Sequence, residues 1–113
     1  MKPVRFVGSA KKDLSDFPDF VRNRAGHELF LVQVGRDPDD SKPMPTVGPG
    51  ACEIRVRDAS GAFRVIYVAK FEDAIYVLHA FQKQTRKTAR EDIYLAVRRY
   101  RDALSHAKGN HGA

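Results

Sequence analysis

The chain has 113 residues, 42% of them hydrophobic, and sets 20 Lys+Arg against 14 Asp+Glu for a net charge of +6 and a pI near 9.7. That length gives room for one core and one domain, expected over residues 1–108 with a flexible tail at 109–113. A single cysteine, Cys52, excludes an internal disulfide and suits a reducing cytoplasm; no apolar run approaches the ~20 residues of a membrane span, so a cytoplasmic protein without membrane contact is expected.

The excess charge is uneven. Residues 1–50 hold 8 basic and 7 acidic side chains, whereas residues 51–113 hold 12 and 7. The second half is therefore the part to search for a polyanion site.

In chain order, Pro3–Gly8 alternates as a short strand, and Ser9 stands where it would cap a helical segment over Ala10–Ser15. Pro18 suits the first turn of a second helix, expected to about Val34, because its missing N–H removes nothing there. Phe20, Val21, Ala25, Leu29 and Val32 recur at helical spacing as its core face, Gly26 suggests a close approach, and Gly35 suits a left-handed stop. Arg36–Gly50 is rich in Pro and Gly and reads as an irregular loop, with Lys42 inside it.

Glu53-Ile54-Arg55-Val56-Arg57 alternates strictly, so Ile54 and Val56 face one side and the charged residues the other. Asp58-Ala59-Ser60-Gly61 is a turn into the organising hairpin. Its strands are Phe63–Lys70 and Ile75–Phe81, joined across Phe71-Glu72-Asp73. The second strand opens into Lys83, Arg86, Lys87 and Arg90. Thr88-Ala89-Arg90-Glu91 has the form of a capping box, and Ile93, Val97, Tyr100 and Leu104 form the expected packing stripe of a last helix.

No P-loop, dinucleotide glycine fingerprint, paired-cysteine zinc site or His-Glu-x-x-His helix is present, and the four histidines lie at unrelated spacings, so no metal or other cofactor is expected. What remains is a set of Arg55, Arg57, Arg64, Tyr67, His79 and Lys83 on neighbouring strands. Arginine forks bind phosphate and stay charged, while Tyr, His or an acidified Lys can move a proton, which is the chemistry of RNA phosphodiester cleavage. Each residue also has a structural reading. Arg55 and Arg57 fit a solvated strand face, Arg64 a bridge to a carboxylate, and Tyr67 and His79 the interior. Phe81 fits either the core or a platform for a base.

The run 53–57, the Phe-Arg-Val-Ile-Tyr at 63–67 and the Val-Leu-His-Ala-Phe-x-Lys-x-Thr-x-Lys-Thr at 77–88 resemble the RelE/ParE toxin superfamily, in particular its HigB-like branch with phage-encoded members. Lys-Pro-Met-Pro at 42–45 resembles the loop before that core, and the resemblance covers nearly the whole chain. It implies a compact α+β fold with N-terminal helices and a C-terminal helix packed on a small antiparallel sheet. It also implies a metal-independent endoribonuclease that cleaves mRNA on the ribosome. A cognate helix-turn-helix antitoxin would silence it in a hetero-oligomer.

By position, Arg55 matches a basic strand residue of the family, Arg64 its phosphate-binding arginine, and Lys83 the basic residue ending the last strand. Tyr67 and His79 are the candidates for proton transfer, and Arg57, Lys42, Phe81, Arg86 and Lys87 for RNA contact. Gln84 stands where RelE has an arginine, and RelE's C-terminal tyrosine has no counterpart. The competing readings are a ParE-like inhibitor of DNA gyrase and a catalytically silent binding module.

Overall fold

The computed structural model describes residues 1–111 and builds the chain on the expected hairpin. The elements are β1 (Val4–Phe6), α1 (Ala10–Ser15), α2 (Asp19–Gln33), β2 (Ser41–Pro43), β3 (Ala51–Asp58), β4 (Gly61–Val68), β5 (Ile75–Lys83) and α3 (Arg90–His111). They form an α+β fold around one five-stranded sheet of order β1-β5-β4-β3-β2. The sheet is mixed and not wholly antiparallel, because β1 runs parallel to β5. The two helices that follow β1 begin the long crossover such a pairing requires. The tail expected at 109–113 overlaps the end of α3, and residues 112 and 113 lie outside the described residues.

Alternation in β3 and β4 feeds two cores. On one face Ile54, Val56, Phe63, Val65, Tyr67, Ile75 and Val77 pack against Ala10 and Leu14 of α1, Phe17, and Val21, Ala25 and Leu29 of α2. On the other, Ala51, Ile66, Val68, Tyr76 and Leu78 pack against Ala96, Tyr100, Ala103 and Ala107 of α3. The packing stripe of α3 thus differs from the expected one. Of Ile93, Val97, Tyr100 and Leu104 only Tyr100 is buried, and three alanines do the rest.

Tyr100 lies so close to the 44–50 segment that a Cβ on Gly48 would stand 2.6 Å from its ring, and its hydroxyl donates to the Pro49 carbonyl at 2.6 Å. The Pro/Gly-rich segment is therefore a cover for α3. Within it, Ser41–Pro43 pairs with β3 as β2, a strand where the sequence suggested only loop.

Three other expectations change. Phe20 is 61% exposed, because α2 already fills the core with Val21, Ala25 and Leu29. Gly26 faces open space, and no close approach occurs there. Ser9 bonds the carboxylate of Asp13 with its hydroxyl instead of a backbone amide, and α3 begins at Arg90, one residue later than a Thr88 cap would place it. Gly35 does adopt the left-handed conformation, at φ 81°.

A register shift between Ile66 and Tyr67 leaves Leu78 without a partner on β4. The bulge brings Leu78 and its neighbour His79 to the same, α3-facing side. The Leu78 carbonyl then accepts from Arg99 Nη1 at 3.0 Å, and Nη2 of that arginine bonds Ser9 Oγ at 3.0 Å. Arg99 so ties α3 to the start of α1.

Candidate functional site

Strand register sorts the charged residues into three rows on the α3-facing side of the sheet. Lys42, Glu53, Ile66 and His79 form the first row, Arg55, Arg64 and Phe81 the second, and Arg57, Ala62 and Lys83 the third. The N-terminus of α3 meets only the first row, where Asp92 bonds His79 Nε2 at 2.7 Å. The other two rows extend past the start of that helix, with Arg57 exposed and Arg55 and Lys83 half-buried. Small Ala62 between Arg57 and Lys83 keeps the end of the sheet low.

Arg55 and Arg64 stand directly opposite each other, an arrangement that destabilises a strand pair unless the charges are compensated. Each has its own carboxylate. Arg64 Nε lies 3.4 Å from Glu53 Oε1, and its Nη1 donates to the Phe63 carbonyl at 3.0 Å. Arg55 sets Nη2 and Nε against Asp40 Oδ1 at 2.7 and 2.9 Å, while its backbone N–H donates to the Asp40 carbonyl at 2.9 Å.

The two pairs differ in depth. Glu53 is fully buried and Arg64 only 7% exposed, whereas the Asp40 side chain is 58% exposed and that of Arg55 is half-buried. Burial lowers the Arg64 pKa, an effect that Glu53 opposes and Arg55 and Arg57 reinforce. Lys83 is likewise lowered, first by desolvation and then by Arg64, with Glu53 pulling the other way. Asp40, Arg55, Val56, Arg57 and Arg64 line an open recess of about 270 Å³.

The structure thus brings Arg55, Arg57, Arg64, Lys83 and Lys42 onto one face. It does not bring Tyr67 there. That tyrosine pairs with Cys52 and Val77, points to the α1/α2 side and is 4% exposed, since odd-numbered β4 residues from Phe63 to Tyr67 all serve that core. Its hydroxyl pKa is raised, chiefly by burial and then by Cys52.

His79 is on the right face but buried beneath the start of α3, its ring stacked on Phe81 at 4.6 Å and its Nδ1 without a hydrogen-bond partner. Phe81 is correspondingly 9% exposed and supports His79, which takes it away from the expected role of an open base platform. Arg86 and Lys87 lie exposed in the segment between β5 and α3. Three carboxylates were missed: Glu53, Asp40 and Asp92. Only long-range register reveals them, although the strand alternation already put Glu53 on the arginine side.

Residues 12–101 match the family described as Phage derived protein Gp49-like (DUF891). The chain belongs to that family. It is a toxin family of RelE/HigB type, which implies an antitoxin partner for this Gp49-like protein. No curated protein matches the sequence. Among the described residues no helix is long and apolar enough to cross a membrane, and no group of three or more His, Cys, Asp or Glu is placed to hold a metal ion.

Proposed function

We propose that this Gp49-like protein is the toxin of a type II toxin–antitoxin pair and cleaves mRNA, in the ribosome, by metal-independent phosphodiester chemistry. A helix-turn-helix antitoxin would neutralise it. The observation that carries the reading is the end of the sheet beyond α3. There Arg55, Arg57 and Lys83 reach the surface on one face, buried Arg64 lines the recess between them, and Lys42 stands at the β2 edge.

Cleavage joins the 2′-oxygen to the phosphorus as the P–O5′ bond breaks, with the 2′-hydroxyl proton passing to solvent; it adds negative charge at the phosphorus and needs a proton on the leaving 5′-oxygen. Three guanidiniums on one small surface suit the first task, because fixed donors in a partly dry site need no reorganisation as charge develops. The charge of Glu53, 3.4 Å away, favours the protonated form of Arg64, and the Phe63 carbonyl holds its Nη1. Lys83, made more acidic by partial burial beside Arg64, suits the second task. Lys42, Arg86 and Lys87 would hold flanking phosphates, and buried His79, held by Asp92, would set the floor under them.

Primer extension on cellular transcripts after brief induction tests this reading. Cleaved mRNA with the wild-type chain, and intact mRNA with Arg64→Lys, is the expected result. Intact transcripts beside broken chromosomal DNA would instead identify a gyrase inhibitor.

A further inference from the structure

Of the two carboxylates that compensate the opposed arginines, one is structural and the other stands where a ligand would. Glu53 is fully buried on the α3-facing side of the sheet. Asp40 stands in the wall of the 270 Å³ recess with its side chain 58% exposed. It engages the Nε and Nη2 of Arg55, the edge of a guanidinium that takes a phosphate by two parallel bonds.

Its position is also held. The Asp40 carbonyl accepts from the Arg55 N–H, extending the β2–β3 ladder by one bond. The preceding Asp39 gives its N–H to Glu28 Oε2 at 2.9 Å and its carboxylate to Arg24, which itself pairs with Glu28 at 3.2 Å. The 36–40 segment is thereby fastened to α2.

We propose that Asp40 is a specificity-determining residue of the site, an internal competitor that a substrate phosphate must displace from Arg55. This inference rests on the nuclease reading and names a control built into the same site. An isolated anion that meets Arg55 alone gains little, because it exchanges one carboxylate contact for another. An RNA strand that also engages Arg57, Arg64 and Lys83 pushes Asp40 aside. The competitor thus sets a threshold: it lowers the affinity of every anion that uses Arg55, a multiply held phosphodiester chain still binds, and removing the competitor tightens that binding.

The test uses the full chain and a single-stranded 2′-O-methyl oligoribonucleotide, whose blocked 2′-oxygen prevents cleavage, with binding read by fluorescence anisotropy. Asp40→Asn keeps the size of the side chain and the backbone pairing, and should bind about fivefold tighter, the scale of an exposed ion pair. In an Arg55→Ala background the same change should have an effect of less than about twofold. Should Asp40→Asn fold poorly, Asp40→Ser is measured in its place with the same expectation.

Unchanged or weaker binding by the Asp40 variant overturns the proposal. So does an equal gain in both backgrounds, which would be a general field effect, and so does an absence of binding in every variant. Primer extension on the same variants separates the two readings. Intact transcripts with the Arg55-dependent gain present would sink the nuclease and leave the competitor standing; cleaved transcripts without the gain would do the reverse.

Discussion

Strands β3, β4 and β5 offer alternating side chains to both sides, yet the two faces end differently. The α1/α2 face is apolar along its length, from Val56 and Phe63 at one end to Ile75 at the other. The α3 face is largely apolar under α3, with Glu53 and His79 buried at the margin, and beyond His79 and Asp92 it becomes Arg55, Arg57, Arg64 and Lys83. The same backbone therefore builds a core on one side and a core plus a cationic surface on the other. Where the covering layer stops, strand pairing still fixes the backbone positions of Arg55, Arg57, Arg64 and Lys83, which is the condition a preorganised anion site needs.

The strongest way to break that contrast is to remove the residue that sits between core and site. Arg64→Ala leaves Glu53 fully buried without its nearest counter-charge and should cost about 3–5 kcal/mol of stability in urea unfolding, along with activity. Loss of growth arrest in that variant is then ambiguous. Arg64→Lys keeps the charge, should unfold at nearly the wild-type urea concentration, and should still fail to cleave because the bidentate fork is gone. A fully active Arg64→Lys protein would remove Arg64 from the phosphate site.

On the dry face, Ile54→Ala deletes a side chain with no exposed surface and should cost about 2–5 kcal/mol, again read by urea unfolding. The surviving folded fraction should cleave at the wild-type rate. A rate change beyond the loss of folded protein would mean that the two faces are not independent.

How much of this was legible in the sequence follows from how far each signal reaches. The β3 alternation and the β4–β5 hairpin are set by neighbouring residues, and both formed; so did the turn at 58–61 and the left-handed Gly35. Periodicity in α2 found Val21, Ala25 and Leu29 but also admitted Phe20, because a helix that carries apolar groups on two sides has no single stripe to read. In α3 the large residues drew attention, while the close contact with the sheet is made by Ala96, Ala103 and Ala107.

The site residues divide in the same way. Strand alternation placed Arg55 and Arg57 on a common face, but the β3–β4 register was needed to add Arg64, the extended β2 pairing to bring in Asp40, and the β5 bulge to aim His79 at Asp92. Tyr67 alternates with Phe63 and Val65, which favours the core, and the structure places it in the α1/α2 core. One position to either side would have put it on the other face.

A smaller effect should appear in the pH dependence of the cationic end. Lys83 has a lowered pKa in the folded chain, so with rising pH the native state sheds that proton before the unfolded state does. Between the lowered value and the ordinary 10.5 the unfolded chain holds more protons, and the Lys83 contribution to stability improves as pH rises. RNA affinity moves oppositely, falling through the same window as the charge is lost. Lys83→Arg should extend binding to higher pH, measured by anisotropy across an alkaline series. An unshifted alkaline limb would show that Lys83 does not contact the strand.

The smallest effect, and the sharpest discrimination between the two faces, belongs to Tyr67. Its hydroxyl lies beside Cys52 and Ser41 on the α1/α2 side, and burial keeps it protonated at any pH the cell offers. A neutral phenol on the far side of the sheet from Arg64 can neither accept a proton from a 2′-hydroxyl nor meet a leaving oxygen. Tyr67→Phe should therefore cost about 1 kcal/mol in urea unfolding, the worth of one buried hydrogen bond, and leave the primer-extension pattern unchanged. A Tyr67→Phe chain that folds but no longer cleaves would place the chemistry on the opposite face, and the cationic rows would then be a surface for holding RNA without cutting it.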